Sequence, residues 1–203
     1  TDGAGYFLVR YETSMKIKIY KKEAYELANV SVGYFTGTRG ETVDFDDAAT
    51  YNLLDGKVER SKLKSEGEFT EKSADDYKTR KVSFPNVKEG SIIEYKLIRT
   101  NYNVVGIRDF FFQGEYPVVH AEYRIATPDQ FQYNRFLGGF LQPEQKVENL
   151  TAVNSDRTET RVTYILKNIP AMKDEDFVNN IDNYRARLTY ELASWNTVTH
   201  DME

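Results

Sequence analysis

At 203 residues with a net charge of −5 and no basic run, the chain has room for one large domain or two small ones and is poorly suited to nucleic acid or anionic membrane surfaces. Cysteine is absent, which excludes disulfides, thiolate zinc sites and a cysteine nucleophile from these residues, and no apolar stretch approaches the ~20 residues of a membrane-spanning helix. The unusual counts are 15 Tyr and 12 Phe, side chains that favour strands and supply large buried areas.

Thr1 to Gly5 reads as a lead-in. The first residue is not Met and no signal peptide is present, as expected of a chain whose leader has been removed or of a piece of a longer protein. Phe7, Val9, Tyr11, Thr13, Met15, Ile17 and Ile19 then alternate with mostly polar residues, the period of a half-buried strand. Lys21 to Ala28 fits one helical turn or a wide loop. Val30, Val32 and Tyr34 predict a second strand, and Val43 to Leu53 a third. Asp55-Gly56 is a two-residue hairpin signal, and the polar return strand Lys57 to Leu63 is expected at an edge. Lys64 to Tyr77 is irregular, with a short helix expected near Glu71 to Asp76.

The next stretch is the most informative. Val82 and Phe84 alternate with polar neighbours until Pro85 removes a backbone donor. Asn86 and Lys88-Glu89-Gly90 are turn chemistry, with Gly90 free to take a positive φ. Ile93, Tyr95 and Leu97 resume the alternation. Arg99 falls on the same track as Leu97, and there the apolar pattern frays. Asn101 to Gly106 turns the chain, and Phe110 to Phe112 reads as a strand buried on both faces. Val119 to Ile125 predicts another strand, closed by Pro128. Phe131 to Phe140 is aromatic, with Gly138-Gly139 as a turn or bulge, and Gln142 to Asp156 is a polar connection with room for one weak strand. Val162, Tyr164 and Leu166 predict a strand ended at Asn168-Ile169-Pro170-Ala171. Lys173 to Asn180 is an acidic loop, and Tyr184 to Leu192 is the last strand. The expected fold is all-β: a twisted antiparallel β-sandwich of about ten strands, one domain over 1–203, with 128–156 as the alternative place for a lobe boundary.

Five pieces in this order resemble a bacterial family: Met15-Lys-Ile-Lys-Ile19 followed by Ala28-Asn-Val30; Tyr51 to Val58; Phe84 to Tyr95; Arg108-Asp-Phe-Phe-Phe-Gln113 with Tyr116-Pro-Val118; and Asn168-Ile-Pro-Ala171 with Asp174-Glu175. The family is the uncharacterised domain that precedes transglutaminase-like domains in exported proteins, frequent in Bacteroidetes. The resemblance implies an all-β fold, a periplasmic or cell-surface location and a catalytic neighbour downstream in the same chain. It brings no ligand and no functional residues. The Cys–His–Asp set of such a neighbour is not among these residues.

Candidate chemistry in the residues themselves is thin. His120, on the polar side of its strand with Glu122 and Arg124, is a conceivable general base but reads as a solvated strand face; His200 sits in the tail. Two distant histidines without cysteine do not make a zinc site. Asp44, Asp46 and Asp47, and again Asp174, Glu175 and Asp176, lack the spacing, glycine and closing glutamate of a dedicated calcium loop. No nucleophile-elbow serine and no phosphate-cradling glycine loop is present. Trp195, Tyr184 and Tyr190 are candidates for stacking on sugar rings, against the simpler reading that they pack a sheet. No catalytic, cofactor-binding or metal-ligating set is assigned. The expected function is that of a non-catalytic accessory domain without a cofactor, beside a transglutaminase-like or peptidase-like domain. The alternative is a stand-alone glycan- or peptide-binding module of the cell envelope; a carboxylate-based hydrolase ranks third.

Overall fold

A computed structural model describes residues 5–151, 158–173 and 180–196. The chain divides into two compact units, Thr1–Asn103 and Val104–Glu203. The division falls in the turn at Asn101 to Gly106, whereas most of 128–156 runs as paired strand inside the second unit. Among the described residues there are thirteen strands in four sheets, all paired antiparallel, so the all-β, sandwich-like expectation holds.

The first unit contains β1 (Val9–Lys18), β2 (Asn29–Phe35), β3 (Thr42–Leu54), β4 (Lys57–Lys62), β5 (Glu68–Ala74), β6 (Tyr77–Ser83) and β7 (Ile92–Asn101). Its sheets run β1-β7-β3-β4 and β2-β6-β5. Each sheet has one apolar face, and the two close on one core: Val82 from β6 meets Ile93 and Tyr95 from β7, with Ile19, Ala28 and Phe84. Tyr95 is ringed by Phe45 and Phe84 at 5.7 and 5.6 Å between centroids. Burying each such side chain contributes roughly 1.5–3 kcal/mol. The Asp55-Gly56 hairpin forms with φ of 47° and 76°, and polar β4 lies at a sheet edge. Lys22–Ala28 is a 3-10 helix that buries only Ala28.

One element departs from expectation here. Glu71 to Asp76 is no helix; most of it belongs to β5. Its polar side chains leave both faces wet, but the backbone completes its hydrogen bonds on β6, and Lys81–Glu71 and Arg80–Glu68 pairs at 2.6 and 2.8 Å tie the edge down.

The second unit contains β8 (Phe110–Phe111), β9 (Val118–Pro128), β10 (Phe131–Gly138), β11 (Glu144–Thr151), β12 (Thr158–Ile169) and β13 (Arg187–Trp195). Its sheets run β10-β13-β8 and β11-β12-β9. Tyr164 and Ile169 from one meet Leu188 and Tyr190 from the other, with Phe112 and Ala186. Two expectations change. The Phe110 to Phe112 run is a two-residue edge strand, not a strand buried on both faces: Phe112 is buried and Phe110 packs edge-on against it at 4.8 Å, but Phe111 points outward, 39% exposed. The last strand starts at Arg187, because Ile181–Asn183 is a 3-10 turn capped by the Asn180 side chain. Gly139, at φ 79°, lets the backbone pass so close to Arg185 and Ala186 that a Cβ would sit 2.7 Å from their atoms.

Candidate functional site

The pieces that stand out in the sequence act as structural clamps. In the first unit, the Phe84 to Tyr95 piece closes on two others. Ser91 Oγ donates to Asn52 Oδ1 at 2.6 Å and accepts from Lys88 N at 2.9 Å, while Asn52 Nδ2 donates to Asn86 O at 2.9 Å. Ile19 N donates to Ser91 O, and Gly90 N returns to Ile19 O. In the second unit, Gln113 Nε2 donates to Pro170 O at 3.0 Å and Gln113 Oε1 accepts from Ala186 N at 3.3 Å, which binds the Arg108–Gln113 piece to the Asn168–Ala171 piece.

Arg99, where the apolar pattern frays, is buried. Its Nη1 meets Glu41 Oε2 at 2.9 Å and its Nη2 donates to Gly33 O at 3.0 Å, while Asn101 Nδ2 reaches Glu41 Oε1 at 3.2 Å. Phe35 N also donates to Glu41 Oε2. Among the described residues these groups spend their bonds on one another and on the backbone.

The singled-out candidates do not assemble. His120 lies on an exposed face with Glu122 Oε2 3.6 Å away, and Glu122 is itself paired with Arg124 at 2.6 Å. Asp44 pairs with Arg80 at 3.3 Å, Asp46 accepts from Asp47 N, and Asp47, at φ 50°, forms the bulge of β3. Among the described residues, no group of three or more His, Asp or Glu is placed to hold a metal ion. His200, Asp174, Glu175 and Asp176 lie outside the described residues. Tyr184 precedes β13, Trp195 ends it and Tyr190 is buried between, so the three make no common platform.

A cavity of about 280 Å³ opens instead within the second unit, between the inner faces of its two sheets near the β9–β10 turn. Alternation places its walls: Ile125 and Thr127 of β9 stand opposite Val162 and Thr160 of β12 in register, and Phe131, Tyr133 and Arg135 follow one track of β10. Tyr190 forms the floor, set against Tyr133 at 6.2 Å and 72°. At one end Asp129 is tied across the turn by the Thr158 hydroxyl, which donates to its carboxylate. At the other, Arg135 Nη1 donates to Tyr164 Oη at 3.0 Å, and Tyr164 and Tyr190 share a hydroxyl hydrogen bond at 2.9 Å. Burial first, then the bond to Tyr164 and its charge, push the Tyr190 hydroxyl far above its ordinary value, with Arg135 pulling the other way. Tyr190 is therefore a neutral hydrogen-bonding group at physiological pH. Among the described residues the cleft holds one cation, one carboxylate, two threonine hydroxyls and aromatic walls: the chemistry of recognition. Sequence reasoning missed it because its walls come from four strands of two sheets; the legible signal was the alternation Phe131, Tyr133, Arg135.

Fold and cleft define a class, an antiparallel β-module with a small aromatic cleft. The chain belongs to the DUF3857 family, a domain of unknown function with a solved structure, whose profile matches residues 8–173. A crystal structure described as that of a "putative protease" from Parabacteroides distasonis is similar over 90% of this chain, with a TM-score of 0.73 and 18% identity. This chain spans 36% of the length of that protein, and the likeness is one of fold. The uncharacterised, Bacteroidetes-type domain implied by the sequence pieces is thus the family found. No curated protein matches the chain.

Proposed function

We propose that the chain is a non-catalytic accessory module, exported to the periplasm or cell surface, that accompanies a transglutaminase-like or peptidase-like domain and helps to present its substrate. The observation that carries this reading is one of extent: the whole fold corresponds to about a third of a protein described as a protease, so most of that protein lies outside the shared part. The cleft adds support, since among the described residues Asp129 is the only carboxylate lining it and two-carboxylate hydrolysis needs a second. So does the outward face of β10-β13-β8, where Phe136 (53% exposed) and Phe111 flank Thr189 and Arg187 in register. An apolar stretch of this kind suits a docked neighbour.

The test is made on the native gene product. Peptide hydrolysis and transamidation are compared with and without residues 1–203. Loss of the segment should raise KM and leave kcat for a small substrate nearly unchanged. A native product that ends near Glu203, or equal KM values, would sink the reading. The aromatic cleft also favours the second reading, a free-standing peptide-binding module.

A further inference from the structure

The cleft of the second unit carries a more specific assignment, one that stands whether or not a catalytic domain accompanies the chain. We infer that it captures the free C-terminal carboxylate of a peptide whose last side chain is apolar or aromatic. Arg135 offers a planar fork of five donors, of which only Nη1 has a protein acceptor among the described residues. The hydroxyl pair Tyr164–Tyr190 fixes that nitrogen, so the rest of the fork is presented with little freedom left to lose. A carboxylate fits the fork bidentately.

The surroundings narrow the choice. Among the described residues of the cleft, one guanidinium balances a monoanion, and Asp129 opposes a second negative charge, which disfavours phosphate. Ile125, Val162, Phe131 and Tyr133 supply an apolar lining for one side chain. The Thr127 hydroxyl is offered to the last peptide group, and its cross-strand partner Thr160, whose hydroxyl donates to Asn149 Oδ1 at 3.4 Å, can still accept from a peptide N–H. About 280 Å³ is at the small end for ligand sites, so the cleft takes the end of a chain rather than its length. A sugar ring would want a broad exposed aromatic face, but Tyr190 is buried and Tyr133 meets it edge-on.

Trp195, the only tryptophan, is the register partner of Phe131 and reports on the cleft by fluorescence. The whole 203-residue chain is titrated with acetyl-Gly-Ala-Phe as the free acid, the same peptide as its C-terminal amide, trigalacturonic acid, and inorganic phosphate. The free acid should bind, with the amide at least about tenfold weaker, as expected for loss of a charge-assisted pair. Arg135→Gln should lose about tenfold in affinity for the acid while melting like the parent, because its side chain is exposed; Arg135→Lys should keep part of the binding. Equal binding of acid and amide, a preference for trigalacturonic acid or phosphate, no binding of any probe, or full binding by a well-folded Arg135→Gln variant would each overturn the assignment.

Discussion

Both units close buried polar clamps, but they differ in what they leave open. In the first, a charged and a neutral network are drawn inside and closed: Arg99, Glu41 and Asn101 satisfy one another, and Ser91, Asn52 and Asn86 lock the central turn. Thr50 Oγ1 and Arg80 Nε are exceptions, buried without a partner. The second unit closes a polar clamp too, at Gln113, but its core is built largely from aromatic rings, and at its cleft a guanidinium keeps donors to spare. A network closed inside a low-dielectric core adds rigidity and uses up its bonding capacity; one left at an open edge keeps that capacity for a ligand. The same fold class therefore yields one half whose buried charge is closed off and one that leaves a charge at an open cleft.

The strongest way to break this contrast is at Arg99. Arg99→Ala removes the guanidinium from the buried Glu41 carboxylate, and chemical denaturation should show a loss of about 3–5 kcal/mol. Replacing both residues by Met should recover much of it; a single variant as stable as the parent would show that the cluster is not a lock. Ser91→Ala strands the Asn52 carbonyl and the Lys88 amide, and about 1–3 kcal/mol should be lost, with hydrogen exchange accelerated first in Pro85 to Ser91.

In the second unit, Tyr190→Phe removes one hydroxyl from the Tyr164 pair and should cost only about 1 kcal/mol near neutral pH. Its pH dependence sharpens the comparison. The fold raises the Tyr190 pKa, so above the ordinary value of 10.0 the unfolded chain releases a proton that the folded chain keeps. The stability from this group is complete below pH ~10 and is lost as pH rises beyond it. Burial raises Tyr95 in the first unit in the same direction. Thermal melts across this alkaline range should fall less steeply for Tyr190→Phe than for the parent. His120→Ala, on an exposed strand face, should shift stability by no more than about 0.5 kcal/mol and leave peptide binding unchanged.

Much of the fold was legible because strand formation leaves a local mark. Period-two alternation identified β1, β3, β7, β9, β12 and most of β13, and Asp55-Gly56 and Pro85 to Gly90 marked their turns. Where the mark is absent the reading failed, as in β5, whose polar residues form a strand only because β6 offers an open edge.

Composition and periodicity, then, determined that this chain is an antiparallel β protein with aromatic cores, and the order of its turn pieces pointed to its family. Tertiary structure alone decided that Arg99 finds Glu41 across 58 residues, that the pieces at Gln113 and Pro170 meet, and that four strands enclose one cleft. The reason is physical: alternation is written in neighbouring residues, whereas a partner for a buried charge, or the far wall of a cleft, is set by which strands pair and which sheets share a core.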